Sequence, residues 1–244
     1  AHADTAMNGN RLPVSITHYY NSCDSDKDEF GMGYGWRTSL HQTLHKVLYN
    51  GEVEFVYTDG DGTEHFFKKN KNDQKKYSDQ SGLSLTLEVG DENITITDKG
   101  DNGMTFPLVS DTPTEDAPET AKVLIQKIQD AVGNEVTVTA VADAPLKIAS
   151  VTDGAGRVTT FHYMDGRCDR IQTPWQNENS CVRFNYYEET LYITHEDGRM
   201  SKYEYALANG YHLLVSASAI EKHVDQQPDK KLADVTYKYS NTNA

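Results

Sequence analysis

The sequence predicts an all-β protein, built of consecutive antiparallel hairpins that form a long curved sheet. Three observations lead there. Turn signals recur along the 244 residues: Asn50-Gly51, Asp59-Gly60-Asp61-Gly62, Asp153-Gly154-Ala155-Gly156 and Asp165-Gly166. Tight reversals need positive φ, which Gly adopts freely and Asn or Asp tolerates, whereas another side chain there costs roughly 1 kcal/mol or more. Between the turns lie short runs of β-branched and aromatic residues, such as Val158 to Tyr163, which suit a pleated surface. Finally, the chain carries 15 Tyr, a residue that fits half-buried sheet faces with its polar end in water.

Composition narrows the role. Hydrophobic residues make up 37% and mean hydropathy is −0.68, so the chain is polar, yet its aromatics argue against disorder. A net charge of −14 disfavours nucleic acid and anionic membranes as partners, because phosphate binding needs clustered Lys and Arg. No apolar run approaches the ~20 residues of a membrane span, so no membrane insertion by this segment is expected. Ala1-His2-Ala3-Asp4 lacks the regions of a signal peptide, and the chain reads as a segment of a larger polypeptide. Three Cys, at 23, 168 and 181, leave at least one thiol unpaired within the chain. A hairpin loop centred near Asn177 sets Cys181 opposite about Thr173 and Cys168 opposite about Tyr186. That leaves either a Cys168–Cys181 disulfide outside cross-strand register or two small buried residues.

Taken in order, residues 1–10 read as a loose leader ending in an Asn-Gly turn. Leu12 to Tyr20 reads as a strand with Leu12, Val14, Ile16 and His18 on one face, and 21–29 as an acidic loop. In F-G-M-G-Y-G-W (30–36) three glycines alternate with large anchors. Residues 38–49 fit a strand, with a helix as the alternative from the Leu40, Leu44, Leu48 spacing. Gly51 turns this strand into 52–58, and Gly62 turns that into 63–68. A basic loop spans 69–76, and strands follow at 83–89, 93–97 and 104–109. The Pro- and acid-rich 111–120 reads as a linker or long loop. It divides an N-terminal β block, 1–110, from hairpins over 121–244. Those hairpins place strands at 123–128, 136–141, 148–152, 158–163, 167–173, 182–187, 190–195, 200–205, 213–219 and 235–239, with a polar loop at 226–231.

The second half also repeats. Gly133 and Gly156 are 23 residues apart, and Gly156 and Gly198 are 42 apart, twice 21. Each sits in a D-x-x-G-[R/N]-like turn, so a strand–turn–strand unit of about 21 residues recurs. A lone hairpin cannot bury its apolar face, so such units must join their neighbours. Gly51, Gly62, Gly133, Gly156, Gly166 and Gly198 are the structural turn positions of this scheme.

These residues resemble the YD repeats of the Rhs and wall-associated proteins. V-T-D-G-A-G-R-V-T-T-F-H-Y-M-D-G-R (151–167) carries the Y-x-D-G-R element as Tyr163, Asp165, Gly166 and Arg167, with weaker copies at 127–139 and 193–205. L-P-V-S-I-T-H-Y-Y-N-S (12–22), F-G-M-G-Y-G-W (30–36) and Y-T-D-G-D-G-T-E-H-F-F (57–67) are similar to the segment that commonly precedes such repeats. The pattern departs at Glu196-Asp197-Gly198, which lacks the Tyr, and in the 210–244 tail, which shows no repeat turn. The resemblance implies a large bacterial surface or secreted polypeptide whose sheet spirals into a shell, often around a toxin. This chain is far shorter than a closed shell and lacks the Asp-rich self-cleavage segment, so it implies a scaffold piece, partnered by other parts of its own polypeptide.

Asp24-Ser25-Asp26-Lys27-Asp28 fails the EF-hand pattern, since Glu29 and Gly35 stand where Gly and Glu are required. His41 and His45 have the spacing of helical zinc ligands, but on a segment read as strand and without the following Glu. The 30–35 glycines lack the G-K-[ST] of a phosphate loop. No G-x-S-x-G occurs, and no carboxylate pair is singled out for glycoside hydrolysis. No catalytic residue, metal site or cofactor is therefore expected. The alternative function is a carbohydrate or cell-wall polysaccharide binding module using Trp36 and Trp175 as stacking platforms.

Overall fold

The protein is described here from a computed structural model covering residues 1–7, 11–221 and 230–239. Among these residues there is no α-helix; one 3₁₀ turn, Ser22–Asp24, interrupts a chain of β-strands. The all-β expectation of successive antiparallel hairpins holds. The chain packs as two compact units: Ala1–Tyr19 with Arg37–Thr159, and Tyr20–Trp36 with Thr160–Ala244.

β1 (His2–Met7), β2 (Val14–Tyr20, of which the residues up to Tyr19 belong to the first unit) and β3 (Trp36–Thr38, of which Arg37 onward does) form a small sheet. The leader thus contributes a strand, its backbone pairing Ala3 with Thr17 and Ala6 with Ser15. The turn expected at Asn8-Gly9 lies outside the described residues. β4 (Thr43–Tyr49), β5 (Glu52–Thr58), β6 (Glu64–Lys69), β7 (Lys76–Asp79), β8 (Thr86–Val89), β9 (Asn93–Thr97) and β10 (Gly103–Pro107) each pair with the next, antiparallel. β11 (Val123–Leu124) pairs with β4, while β12 (Lys127–Gln129) pairs with β10. β13 (Glu135–Val141) and β14 (Ala144–Thr152) continue from β12.

Alternation explains these strands. In β9 the two Ile of N-I-T-I-T are buried, and with Phe55, Phe67, Leu87 and Phe106 they form a dry core. Each such side chain contributes about 1.5–3 kcal/mol of hydrophobic stabilisation.

Several boundaries differ from the sequence reading. The 38–49 segment is neither one strand nor a helix. It breaks between β3 and β4, where the His41 ring Nδ1 accepts the Thr38 backbone N–H at 3.0 Å. A strand not expected from the sequence, β7, starts at the last residue of the basic loop, and its Tyr77 meets Phe55 edge-on, with centroids 4.8 Å apart. The 123–128 strand is two strands because it changes partner midway: Ile125 N–H donates to Gln42 O and Gln126 N–H to Thr105 O. Nor is 111–120 where the chain divides. Leu48 N–H donates to Pro118 O, Thr120 N–H to Lys46 O, and the Lys46 ammonium to Val109 O and Asp111 O. The loop therefore lies along β4, and residues 121–159 belong to the first unit.

In the second unit, β15 (Val158–Met164, of which Thr160 onward belongs here), β16 (Arg167–Gln172), β17 (Val182–Tyr187), β18 (Thr190–Thr194), β19 (Met200–Ala208), β20 (Tyr211–Glu221) and β21 (Lys230–Thr236) pair in sequence. A two-residue turn without the repeat pattern, Asn209 (φ 52°) and Gly210 (φ 87°), joins Ala208 to Tyr211. Residues 222–229, most of the polar loop expected at 226–231, lie outside the described residues, and Lys230 already begins β21. Cys168 and Cys181 are buried thiols, not a disulfide, and Cys23 is exposed. The observed register pairs Ile171 with Val182.

Candidate functional site

Two sets of side chains stand out, one in the turns and one in an aromatic cavity. A single five-residue reversal recurs at 59–63, 98–102, 130–134 and 153–157. In each, the N–H of the first residue donates to the carbonyl of the fifth, at 3.0 Å. The first residue is always Asp, and one carboxylate oxygen accepts two backbone N–H groups. Asp59 takes Asp61 and Thr63; Asp98 takes Gly100 and Asn102; Asp130 takes Val132 and Asn134; Asp153 takes Ala155 and Arg157. This is the Asx device, in which a short side chain satisfies turn amides.

The second carboxylate oxygen bonds a side chain: the His65 ring at 2.9 Å, Asn102 at 2.9 Å, Asn134 at 2.7 Å or Arg157 Nε at 2.6 Å. Hydrogen bonds from the Asn102 and Asn134 side chains hold Asp98 and Asp130 below the ordinary carboxylate range. At Asp153 burial pushes the other way, and the Arg157 side-chain and backbone hydrogen bonds outweigh it, so that carboxyl is lowered too.

The six turn glycines have positive φ: Gly51 79°, Gly62 97°, Gly133 87°, Gly156 78°, Gly166 81° and Gly198 83°. Gly154 is different. A Cβ there would sit 2.6 Å from Arg11 O, so close packing, not φ, demands Gly.

The second set lies in the second unit. Gly31, Gly33 and Gly35 all have positive φ, which folds the 30–36 loop back on itself. Phe30, Met32 and Trp36 are buried. The Gly-rich loop does hold an anion, but an internal one: Gly33 N–H donates to one oxygen of Asp28 at 3.0 Å, and Arg167 Nε donates to the other at 2.9 Å. The Arg167 guanidinium also lies over the Tyr34 and Tyr186 rings, 5.2 and 5.3 Å from their centroids. Tyr34 in turn stacks on His212 at 3.8 Å. Tyr186 Oη makes no hydrogen bond among the described residues, and its burial raises the phenol well above its usual value. Gly33, Tyr34, Arg167, Tyr186 and His212, with Tyr187, Glu188, Thr190 and Tyr205, line a cavity of about 370 Å³.

The arginine of the Y-x-D-G-R element therefore does not brace its own hairpin. It ties that hairpin to a loop 139 residues earlier in the chain. Spacing along the sequence carries no signal for such a contact.

The two predicted stacking platforms separate. Trp36 is 4% exposed, its Nε1 donates to Tyr205 Oη at 2.6 Å, and its ring meets Tyr203 edge-on. Packed this way it presents no face to a sugar, which corrects the expectation for Trp36. Trp175 is 55% exposed. Sequence reasoning passed over Tyr187 and Tyr192, whose signal was the Y-Y and Y-x-T pattern of an exposed strand face. Among the described residues, no group of three or more His, Cys, Asp or Glu is placed to hold a metal ion. No helix of the described residues is long and apolar enough to cross a membrane.

Comparison with known proteins places part of the chain. Residues 1–67 match the family described as Domain of unknown function (DUF6531). No curated protein matches. Among solved structures, the N-terminal domain of effector protein SpvB from Salmonella typhimurium strain LT2 is similar at 12% identity and TM-score 0.47, covering 98% of this chain and 99% of that one. A porin-like protein from Bacteroides uniformis ATCC 8492 is similar at 15% identity and TM-score 0.36, covering 83% and 98%. Neither likeness is strong enough to carry a role to this chain.

Proposed function

We propose that this chain is a non-enzymatic structural β-scaffold segment of a large bacterial surface or secreted YD-repeat polypeptide, partnered by other parts of that polypeptide. The observation that supports this most is the use made of its acidic side chains. Asp59, Asp98, Asp130 and Asp153, the carboxylates a hydrolase reading would recruit, each accept two or more hydrogen bonds from their own turns. Three of them, Asp98, Asp130 and Asp153, are also held below the ordinary carboxylate range, which makes a poor general acid, since that role needs a pKa near the working pH. The match of 1–67 to a family of unknown function and the Y-x-D-G-R element are compatible with this context.

The test is where the segment resides and what it withstands. An antibody to this segment, applied to fractionated cells of the encoding organism, is expected to detect the parent polypeptide in the surface or culture-fluid fraction. Detection confined to the cytosol would sink the surface assignment. Hydrolysis of glycosidic or ester substrates by the purified chain would sink the scaffold reading.

A further inference from the structure

We propose that the outward face of β17, β18 and β19 is a binding site for a neutral oligosaccharide, with Tyr187 as its stacking platform. The inference stands apart from the scaffold reading and uses different residues.

The register builds the site. Asn185 pairs with Tyr192 and Tyr187 with Thr190 across β17 and β18, and Thr194 pairs with Met200 across β18 and β19. Directly opposed residues of an antiparallel pair project from the same face. This places amide, phenol and hydroxyl groups side by side around a cavity of about 690 Å³. Tyr187 is 64% exposed, and its ring meets Tyr192 edge-on with centroids 5.8 Å apart. One phenol ring thus steadies the other while Tyr187 keeps open surface. Tyr187 and Thr190 also line the neighbouring 370 Å³ cavity that holds Arg167. Two adjoining cavities sharing one exposed aromatic suit a chain of rings more than one compact ligand, and both volumes fall in the usual range for ligand sites.

Charge and polarity select the occupant. Three nearby cations are already neutralised, Arg167 by Asp28 at 2.9 Å, Arg199 by Asp197 at 2.5 Å and Lys202 by Glu204 at 2.5 Å, and a fourth, Arg183 opposite Thr194, donates to the Glu178 carbonyl. Glu188 adds a negative charge at the rim, and the chain as a whole carries −14. An acidic glycan or a nucleic acid would be repelled. An apolar peptide would find little, since Met200 is the one aliphatic side chain on the 690 Å³ cavity. A neutral sugar fits both requirements. Its C–H faces lie on tyrosine rings, and its hydroxyls both donate and accept, as Asn185, Thr190 and Thr194 require.

The experiment is titration calorimetry of the intact 244-residue chain with cellohexaose, chitohexaose and maltohexaose as neutral probes and hexagalacturonic acid as the acidic one. At least one neutral hexasaccharide is expected to bind with a Kd of about 1 mM or tighter. Tyr187→Ala is expected to weaken it about ten-fold or more, the loss typical of an aromatic anchor, with an unchanged melting temperature. If that variant is destabilised, Asn185→Ala, an exposed amide, serves in its place and is expected to weaken binding several-fold. Failure of all three neutral probes overturns the proposal. So does tighter binding of hexagalacturonic acid, or a loss of binding in Trp175→Ala that Tyr187→Ala does not share.

Discussion

The turns at 153–157 and 195–199 reverse the chain in the same way and are anchored differently. Both close with the first N–H on the fifth carbonyl and a glycine of positive φ at the fourth position. At 153–157 the anchor is Asp153, which is 3% exposed and bonded to two backbone N–H groups and to Arg157. At 195–199 the first residue is His195, and the acid has moved to Asp197, which accepts from the Arg199 backbone and side chain. That pair sits in water, with the Arg199 side chain 74% exposed. The backbone path is therefore set by glycine, while the strength of the turn is set by where the carboxylate lies. A repeat can keep its geometry and lose its clamp.

The largest expected effect breaks the better clamp. Asp153→Ala should destabilise by about 2–4 kcal/mol, because it strands two turn amides and a partly buried arginine. Asp197→Ala, which removes a solvent-exposed pair, should cost no more than about 0.5 kcal/mol. Urea unfolding of both variants checks this. Equal losses would show that burial of the carboxylate does not matter.

How much of this contrast was legible beforehand depends on its range. Asn50-Gly51 was read correctly as a hairpin, with Tyr49 opposite Glu52, because the signal and both strands are local. Asn209-Gly210 is the same dipeptide with the same φ signs, but its Ala206-Leu207-Ala208 flank does not look like a strand, and tertiary pairing with β20 overrides that weak propensity. β7 follows directly on a basic run and is short, and its one large apolar contact, Tyr77 against Phe55, is not visible in the sequence. The aromatic cavity was illegible for a stronger reason. Its key ion pair joins Asp28 to Arg167 across 139 residues, and no periodicity reports such a meeting. Trp36 was misjudged because its exposure depends on Tyr203 and Tyr205, which arrive from β19.

The comparison extends to pH, where carboxylate clamps and buried histidine should separate. Burial, with the charges of Arg37 and His18, holds the His41 pKa well below its ordinary 6.5. The unfolded chain takes up a proton near that value and the folded chain does not, so His41 supports stability above it and that support declines as pH falls. Asp98, Asp130 and Asp153 are also lowered. Their stabilisation is present above the ordinary carboxylate value of 3.8 and is lost only as pH falls through their folded values. Thermal melts from pH 8 downward should therefore show an early decline beginning near pH 6.5 and a second one in stronger acid. His41→Asn should blunt only the early one. A His41→Asn profile identical to the parent would assign that decline elsewhere.

The smallest effect is the most direct test of the turn argument, because it adds a clamp instead of removing one. His195→Asp puts a carboxylate at the first position of the weak turn, where Asp59, Asp98, Asp130 and Asp153 stand in the others. Its oxygen would face the N–H groups of Asp197 and Arg199, as the Asp153 oxygen faces those of Ala155 and Arg157. The exchange gives up the 3.3 Å contact of the His195 ring with Ser201 Oγ. It also sets a second acid near Asp197, which offsets part of the gain. A net stabilisation of about 0.5–1 kcal/mol is expected, the size of one or two partly exposed hydrogen bonds, readable as a higher urea midpoint. It should grow when Asp197→Ala is added, since the competing acid is then gone. If the double variant is no more stable than Asp197→Ala alone, the first-position carboxylate is not what separates the strong turns from the weak one.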